Sequence, residues 1–217
     1  MNNKKSLIIP RINGLDSLSA ESLANTLMQS GAKAIINIAN WPEKYPYCPT
    51  STVAIAHSGQ FLHALFSITA TETRALITED LGPVADDTCF EIFLKHPGAP
   101  RYWNYEFNIL GSANVSSRIE RKNPVRFSRD GLQAIERISS CKTPREITRG
   151  IASEWLLVSI PLEQLGVSCD KGPVLMEGNF YSCASALVTP YYLSWSPIDT
   201  PSPDFHRPEF FGYLILE

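Results

Sequence analysis

The sequence predicts an all-β fold, a sandwich of two antiparallel sheets with a few short helices. Three observations carry this reading. Short apolar runs recur along the chain, each bounded by Gly, Pro, Asp or Ser, the mark of many short strands joined by turns. Two of them, Thr52 to His57 and Phe61 to Thr69, stand at hairpin distance around Ser58-Gly59. The longest apolar stretches are about strand length, far short of a membrane span.

Taken in order, Ser19 is placed to cap a helix over Ala20 to Ser30, with Glu21 in its first turn. Leu23, Leu27 and Met28 share a face, and Gly31 follows. A loop covering one end of the core is the alternative. Lys33 to Ala39 reads as a strand. In the first hairpin arm Val53 and Ile55 alternate with small residues. In the second, Phe61 and Leu65 face one way and Leu62, Phe66 and Ile68 the other. A strand apolar on both sides lies under cover on both. Thr88 to Lys95 is a strand between Asp86-Asp87 and Pro97-Gly98, expected to bury Phe90, Ile92 and Leu94.

Arg101 to Leu110 follows at hairpin distance. Positions i and i+2 of a strand share a face, so Asn104, Glu106 and Asn108 project opposite Trp103, Tyr105 and Phe107. The aromatic face reads as core; the polar face is plain surface or a site. In Ser128 to Ser139 the three-residue spacing of Leu132, Ile135 and Ile138 favours a short helix. Glu154 to Pro161 is a strand, with Trp155, Val158 and Ile160 expected in the core. Tyr191 to Trp195 and Phe210 to Leu216 close the chain. Two loops are stiffened by proline. Asn40 to Thr50 carries Trp41, Tyr45 and Tyr47, and Pro197 to Pro208 carries Asp199, Asp204, His206 and Arg207. They suit a binding rim or plain end-caps.

The 217 residues fit one domain over 1–217, with 1–33 as an N-terminal extension. A net charge of -3, without a basic stripe, argues against a nucleic-acid partner. Arg118, Arg121, Lys122, Arg126 and Arg129 are mixed with Glu120 and Asp130 and read as a solvated loop. No apolar run points to a membrane. No secretory leader is visible, which reads as cytoplasmic unless a leader has been removed. The five cysteines, at 48, 89, 141, 169 and 183, are odd in number and contain no Cys-x-x-Cys pair. That excludes a complete disulfide framework and argues against zinc. Cys89 reads as a small core residue.

Five segments together resemble the family 9 carbohydrate-binding module. They are Asn40-Trp41 with Tyr45-Pro46-Tyr47, Asp86 to Phe93, Tyr102 to Asn108, Trp155 with Ile160-Pro161, and Leu193 to Pro197 with Pro203 to Gly212. The resemblance runs from about Ala34 to the C-terminus. It implies a β-sandwich of the jelly-roll, DOMON-related kind. It also implies non-catalytic binding of a sugar or polysaccharide chain end, in a carbohydrate-catabolic setting such as xylan breakdown.

Carried over residue by residue, the resemblance makes Glu91 the leading polar contact and Trp195 the stacking face. Asn104, Glu106 and Asn108 are candidate lining residues. Two departures stand out. Xylanase-type modules have a basic residue near the position of Glu106, and a second aromatic wall is missing at Pro83-Val84-Ala85, where Trp41 or Trp103 would have to substitute. His206 either bonds the ligand or holds its loop. Calcium is the one cofactor the resemblance adds, with Asp86 or Asp87 as ligand, and turn chemistry is the alternative for both. Glu91 could instead pair with Arg101 or Arg118.

Three rival functions remain. Glu91 and Glu106 could serve a hydrolase-associated domain with weak hydrolase activity. A haem domain would need axial ligands, and Met28 and Met176 are the internal methionines. The last rival is a structural or protein-interaction module. The sequence names no partner protein.

Overall fold

Alternation of apolar and polar residues does build two sheets, as a computed structural model describing residues 4–217 shows. The first three residues of the predicted extension lie outside the described residues. In chain order the elements are β1 (Ser6–Ile9), α1 (Ala20–Ser30), β2 (Ala32–Ile35), β3 (Ile38–Ala39), β4 (Thr50–His57), β5 (Phe61–Ala75), β6 (Cys89–Lys95), β7 (Tyr102–Asn108), β8 (Ala113–Arg118), β9 (Val125–Arg126), α2 (Arg129–Gln133), β10 (Glu136–Ser139), β11 (Arg145–Pro161), β12 (Val174–Ala184), β13 (Tyr191–Ser194) and β14 (Gly212–Leu216). No helix among the described residues is long and apolar enough to cross a membrane.

A nine-stranded sheet has the order β1-β14-β12-β6-β7-β8-β9, with β13 beside β12 and β3 beside β13. A five-stranded sheet has the order β10-β11-β5-β4-β2. The pairings are antiparallel except β1 with β14, which run parallel at one edge. The sheets meet through the apolar sides of their strands. Phe90, Ile92, Tyr105, Phe107 and Phe180 of the larger sheet share one core with Leu62, Phe66, Leu156, Val158 and Ile160 of the smaller. Phe66 and Phe90 stack at 4.9 Å across the interface.

Both sheets are also covered outside. The α1 helix starts at Ser19, whose hydroxyl accepts from the Ser22 amide. It packs Leu23 and Leu27 on Ala54, Ala56, Leu65 and Leu157. That explains why β5 is apolar on both faces. Over the larger sheet lies a second cluster, in which Trp41, Ile198, Phe205 and Phe211 of the loops cover Phe93, Tyr102 and Tyr181.

Several expectations need correction. Met28 is exposed rather than packed with Leu23 and Leu27. The stretch 33–39 is two strands, because the chain crosses from the smaller sheet (β2) to the larger (β3). Ser128 to Ser139 is half helix and half strand, and Ile138 lies on β10 beside Leu157. Trp155 is 37% exposed. It sits on the outer side of β11, with Leu157, but does not join the apolar cluster that α1 makes there.

Burial sets the energetic contrast. Phe90→Ala removes a ring with no exposed surface and should cost about 3–5 kcal/mol. Trp155→Ala should cost less than about 1 kcal/mol. Urea unfolding of both variants measures this, and equal losses would contradict the assignment of the two faces.

Candidate functional site

The outer face of the larger sheet carries the polar residues. Odd positions of β6 point there, and so do even positions of β7 and odd positions of β12. Cys89, Glu91, Asn104, Glu106, Asn108 and Cys183 are therefore neighbours, and all are buried. The Ile109 amide donates to the Thr88 carbonyl, so even residues of β6 hydrogen-bond toward β7. Glu91 and Glu106, register partners, then face each other across a non-hydrogen-bonded pair, where side chains stand closest.

A cleft of about 310 Å³ opens above these two carboxyls. Its floor is Glu91, Glu106 and Cys183. Asn114, Arg118 and Arg121 form one side, and Tyr192 with Asp204, Phe205 and His206 form the other. Phe205 lies flat on Tyr181 at 4.2 Å. Tyr192 stands edge-on to Tyr45 at 4.8 Å and is only half-buried, so part of its ring is open to the cleft. A depression of about 820 Å³ beside the Asp80–Arg137 pair is larger, but no aromatic ring lines it.

The two floor carboxyls are held differently. Glu106 accepts from Asn104 at 2.7 Å and Asn114 at 2.9 Å. Asn104 in turn accepts from Ser116 and from Arg118 Nε at 2.8 Å. Among the described residues, the Cys183 thiol at 3.3 Å is the donor that meets Glu91. Burial raises the pKa of both carboxyls, and Asn114 and Arg118 oppose the rise at Glu106. At Glu91 the neighbouring Cys183 and Glu106 push further upward. Hydrogen-bond donors thus offset part of the burial penalty at Glu106, whereas at Glu91 the thiol contact adds to it.

Of the residues singled out from the sequence, the cleft gathers Glu91, Glu106 and His206. Asn104 lies beneath, orienting Glu106 and Arg118. Of the basic residues read as a solvated loop, Arg121 is exposed as expected but lines the cleft, while Arg118 is half-buried beside it and bonded to Asn104. Trp195 is a correction: it packs in the core between the sheets, 5% exposed, against Phe180 at 5.6 Å. The strand parity explains it. Tyr191 and Leu193, which share its side, also lie in that core, while Tyr192 points outward. Asn108 is a second correction. Its amide donates to Ile77 O and Asp87, and its carbonyl accepts from the Leu110 and Ser112 amides. It ties a turn together away from the cleft. His206 shares a 3.0 Å hydrogen bond with the Tyr102 hydroxyl, so it holds its loop through a side chain.

Asp86 and Asp87 do not fit calcium. Asp87 is fully buried and accepts from Arg74 at 2.6 Å, the Leu76 and Ile77 amides and Asn108. Three of these donors meet Oδ2, and the fourth, a guanidinium, meets Oδ1. Calcium needs six to eight oxygens at such a point. Asp86 accepts separately from Ser185 at 2.6 Å. Neither makes the local turn bond that was the alternative: both side chains tie together segments distant in the chain.

Tyr192 and Phe205 were the aromatic residues that sequence reasoning left out of the site, and Asn114 and Cys183 were missed with them. Phe205 stood in a flagged loop, and for Tyr192 the signal was the alternation Tyr191-Tyr192-Leu193.

Comparison with known proteins follows the same lines. The model of carbohydrate-binding family 9 matches residues 21–216. A Bacteroides uniformis protein designated a candidate carbohydrate-binding protein is 32% identical, with a TM-score of 0.91, covering 99% of this chain and 100% of that one. Two structures of a family 9 module from Caldicellulosiruptor kristjanssonii share the fold. The complex with cellotriose has a TM-score of 0.54 at 10% identity, covering 98% of this chain and 94% of the other. The complex with glucose has a TM-score of 0.56 at 11% identity, covering 98% and 96%. No curated protein matches the chain.

Burial, with Arg118 and Arg121 nearby, depresses the pKa of His206 to about 3. The folded ring is neutral, whereas the unfolded ring takes up a proton below its ordinary value of 6.5. Its contribution is therefore complete above pH 6.5 and lost as pH falls toward 3, at up to about 1.4 kcal/mol per pH unit. The floor glutamates, with raised values, act in the opposite direction, so a difference between variants is needed. Between pH 7 and pH 4.5 the parent should lose about 2–3 kcal/mol more than His206→Gln in urea unfolding. Parallel pH profiles would contradict this.

Proposed function

The chain belongs to carbohydrate-binding family 9, and on that premise we propose that it binds a sugar, without cutting it, in the cleft above Glu91 and Glu106. The observation that carries this reading is the composition of that one cleft. A sugar ring presents C–H faces and a rim of hydroxyls. Tyr192 and the edge of Phe205 offer apolar surface to a face. Glu106 keeps one further lone pair on each oxygen for hydroxyl donors. Asn114, Arg118 and Arg121 supply donors for hydroxyl oxygens, and Asp204 another acceptor.

The cleft stands at the small end of ligand pockets, which favours a single sugar or the end of a polysaccharide chain over a long internal stretch. A place in carbohydrate catabolism goes with that ligand. Hydrolysis has only the two carboxyls in its favour. A glycosidase sets its pair on opposite sides of the scissile bond, about 5–10 Å apart. Glu91 and Glu106 rise side by side from one floor, against one side of a ring, which supports binding alone.

Titration calorimetry with glucose, cellobiose and xylobiose tests the site. With a half-open tyrosine as the main stacking face, we expect a Kd on the order of 0.1–1 mM, or about 4–5.5 kcal/mol. Tyr192→Ala should abolish measurable heat, and Glu106→Gln should weaken binding about tenfold. Trp195→Ala should lower stability while the folded fraction keeps its affinity. A folded Tyr192→Ala protein that binds like the parent would falsify this site.

A further inference from the structure

The pairing of β6 with β12 places Cys89 directly opposite Cys183, although they stand 94 positions apart in the chain. Glu91 lies two residues beyond Cys89, on the same face. The two sulfurs and a Glu91 carboxyl oxygen all fall within 4.8 Å of one another, with Cys183 Sγ 3.3 Å from Glu91 Oε1.

We propose that Cys89, Cys183 and Glu91 bind one thiophilic divalent cation, zinc by ligand chemistry, at the floor of the cleft. In a tetrahedral zinc site, with Zn–S about 2.3 Å and Zn–O about 2.0–2.2 Å, ligand atoms stand roughly 3.3–3.8 Å apart. The cysteine–glutamate distance already lies at that spacing, and the whole set needs to close by at most about 1 Å.

Two further observations point to a cation. Glu91 is buried, and beside the Cys183 thiol it lacks a hydrogen-bond donor among the described residues, whereas Glu106 next to it has two amide donors. A buried carboxyl with so little compensation suits a metal ion. Glu91 and Cys183 both line the cleft, so an ion has an entry path, and three protein ligands leave a fourth position for water or a hydroxyl. The two soft sulfurs select zinc or cadmium over calcium and magnesium. The absence of a Cys-x-x-Cys motif hid the set, because sheet register supplies the proximity.

Cadmium titration of the reduced full chain, without sugar, tests this apart from the sugar reading. The thiolate-to-cadmium charge-transfer absorption should grow to one ion per chain, be suppressed by zinc and be unaffected by calcium. Cys48→Ser, which removes the exposed thiol, should behave like the parent. Cys89→Ser and Cys183→Ala should weaken binding on the order of 100-fold, and Glu91→Gln about tenfold. Thermal melts without metal identify the variants that stay folded. If one cysteine variant does not fold, the other and Glu91→Gln still read the loss. No absorption in the reduced parent, or absorption that persists in folded Cys89→Ser or Cys183→Ala, overturns the proposal.

Discussion

Three carboxyl groups buried on one face of a sheet set the terms for everything built above it. Asp87, Glu91 and Glu106 are 0%, 4% and 7% exposed. A buried carboxylate is costly unless donors meet it. The protein meets the three differently. Asp87 receives a guanidinium, two amides and a side-chain amide, and so fixes the end of β5 against β7. Glu106 receives two asparagines. Glu91 receives a thiol, and that inequality is where the chemistry of the molecule concentrates.

The loops that bury this face also shape it. Asn179 of β12 grips Ser196 through both its amide and its carbonyl, anchoring the start of the proline-rich loop. Further along, Phe205 stacks on Tyr181 and His206 bonds Tyr102. These contacts seat the loop over the sheet and hold Asp204, Phe205 and His206 at the cleft edge. Arg121 reaches Asp204 from the opposite side at 3.5 Å. The cleft is thus the gap left between a loop fixed from below and a hairpin leaning in from β8.

Much of the sheet was legible because strand alternation is a local signal. The polar side of β7 and the apolar sides of β6 and β11 could be read directly. The central strand β12 could not, because Gly178-Asn179 interrupts its pattern. Gly178 is there because a Cβ would stand 2.6 Å from the Phe93 carbonyl, a close approach between strands that one sequence does not reveal. Trp155 and Trp195 were exchanged for a similar reason. Both lie on clear strands, but which side of a strand is covered depends on where α1 and the loops end. The acidic pair at 86–87 looked like a cation site, yet the donors that fill Asp87 come from Arg74, Leu76, Ile77 and Asn108, and only the fold brings Asn108 to it. Cys89 was legible as a buried thiol; Cys183, and the pairing of the two, were not.

The central claim is that this cleft is where a sugar binds. Chemical-shift mapping on ¹⁵N-labelled protein during a glucose or cellobiose titration addresses it most directly. The account predicts the largest shifts at the Asn114 and Asn104 side-chain amides, the Arg118 Nε–H and the backbone amides of Tyr192, Phe205 and His206. The Trp195 indole, buried between the sheets, should stay where it is. Shifts centred on Trp195 and Lys5, or around Asp80 and Arg137, with the Asn114 amide unmoved, would contradict it.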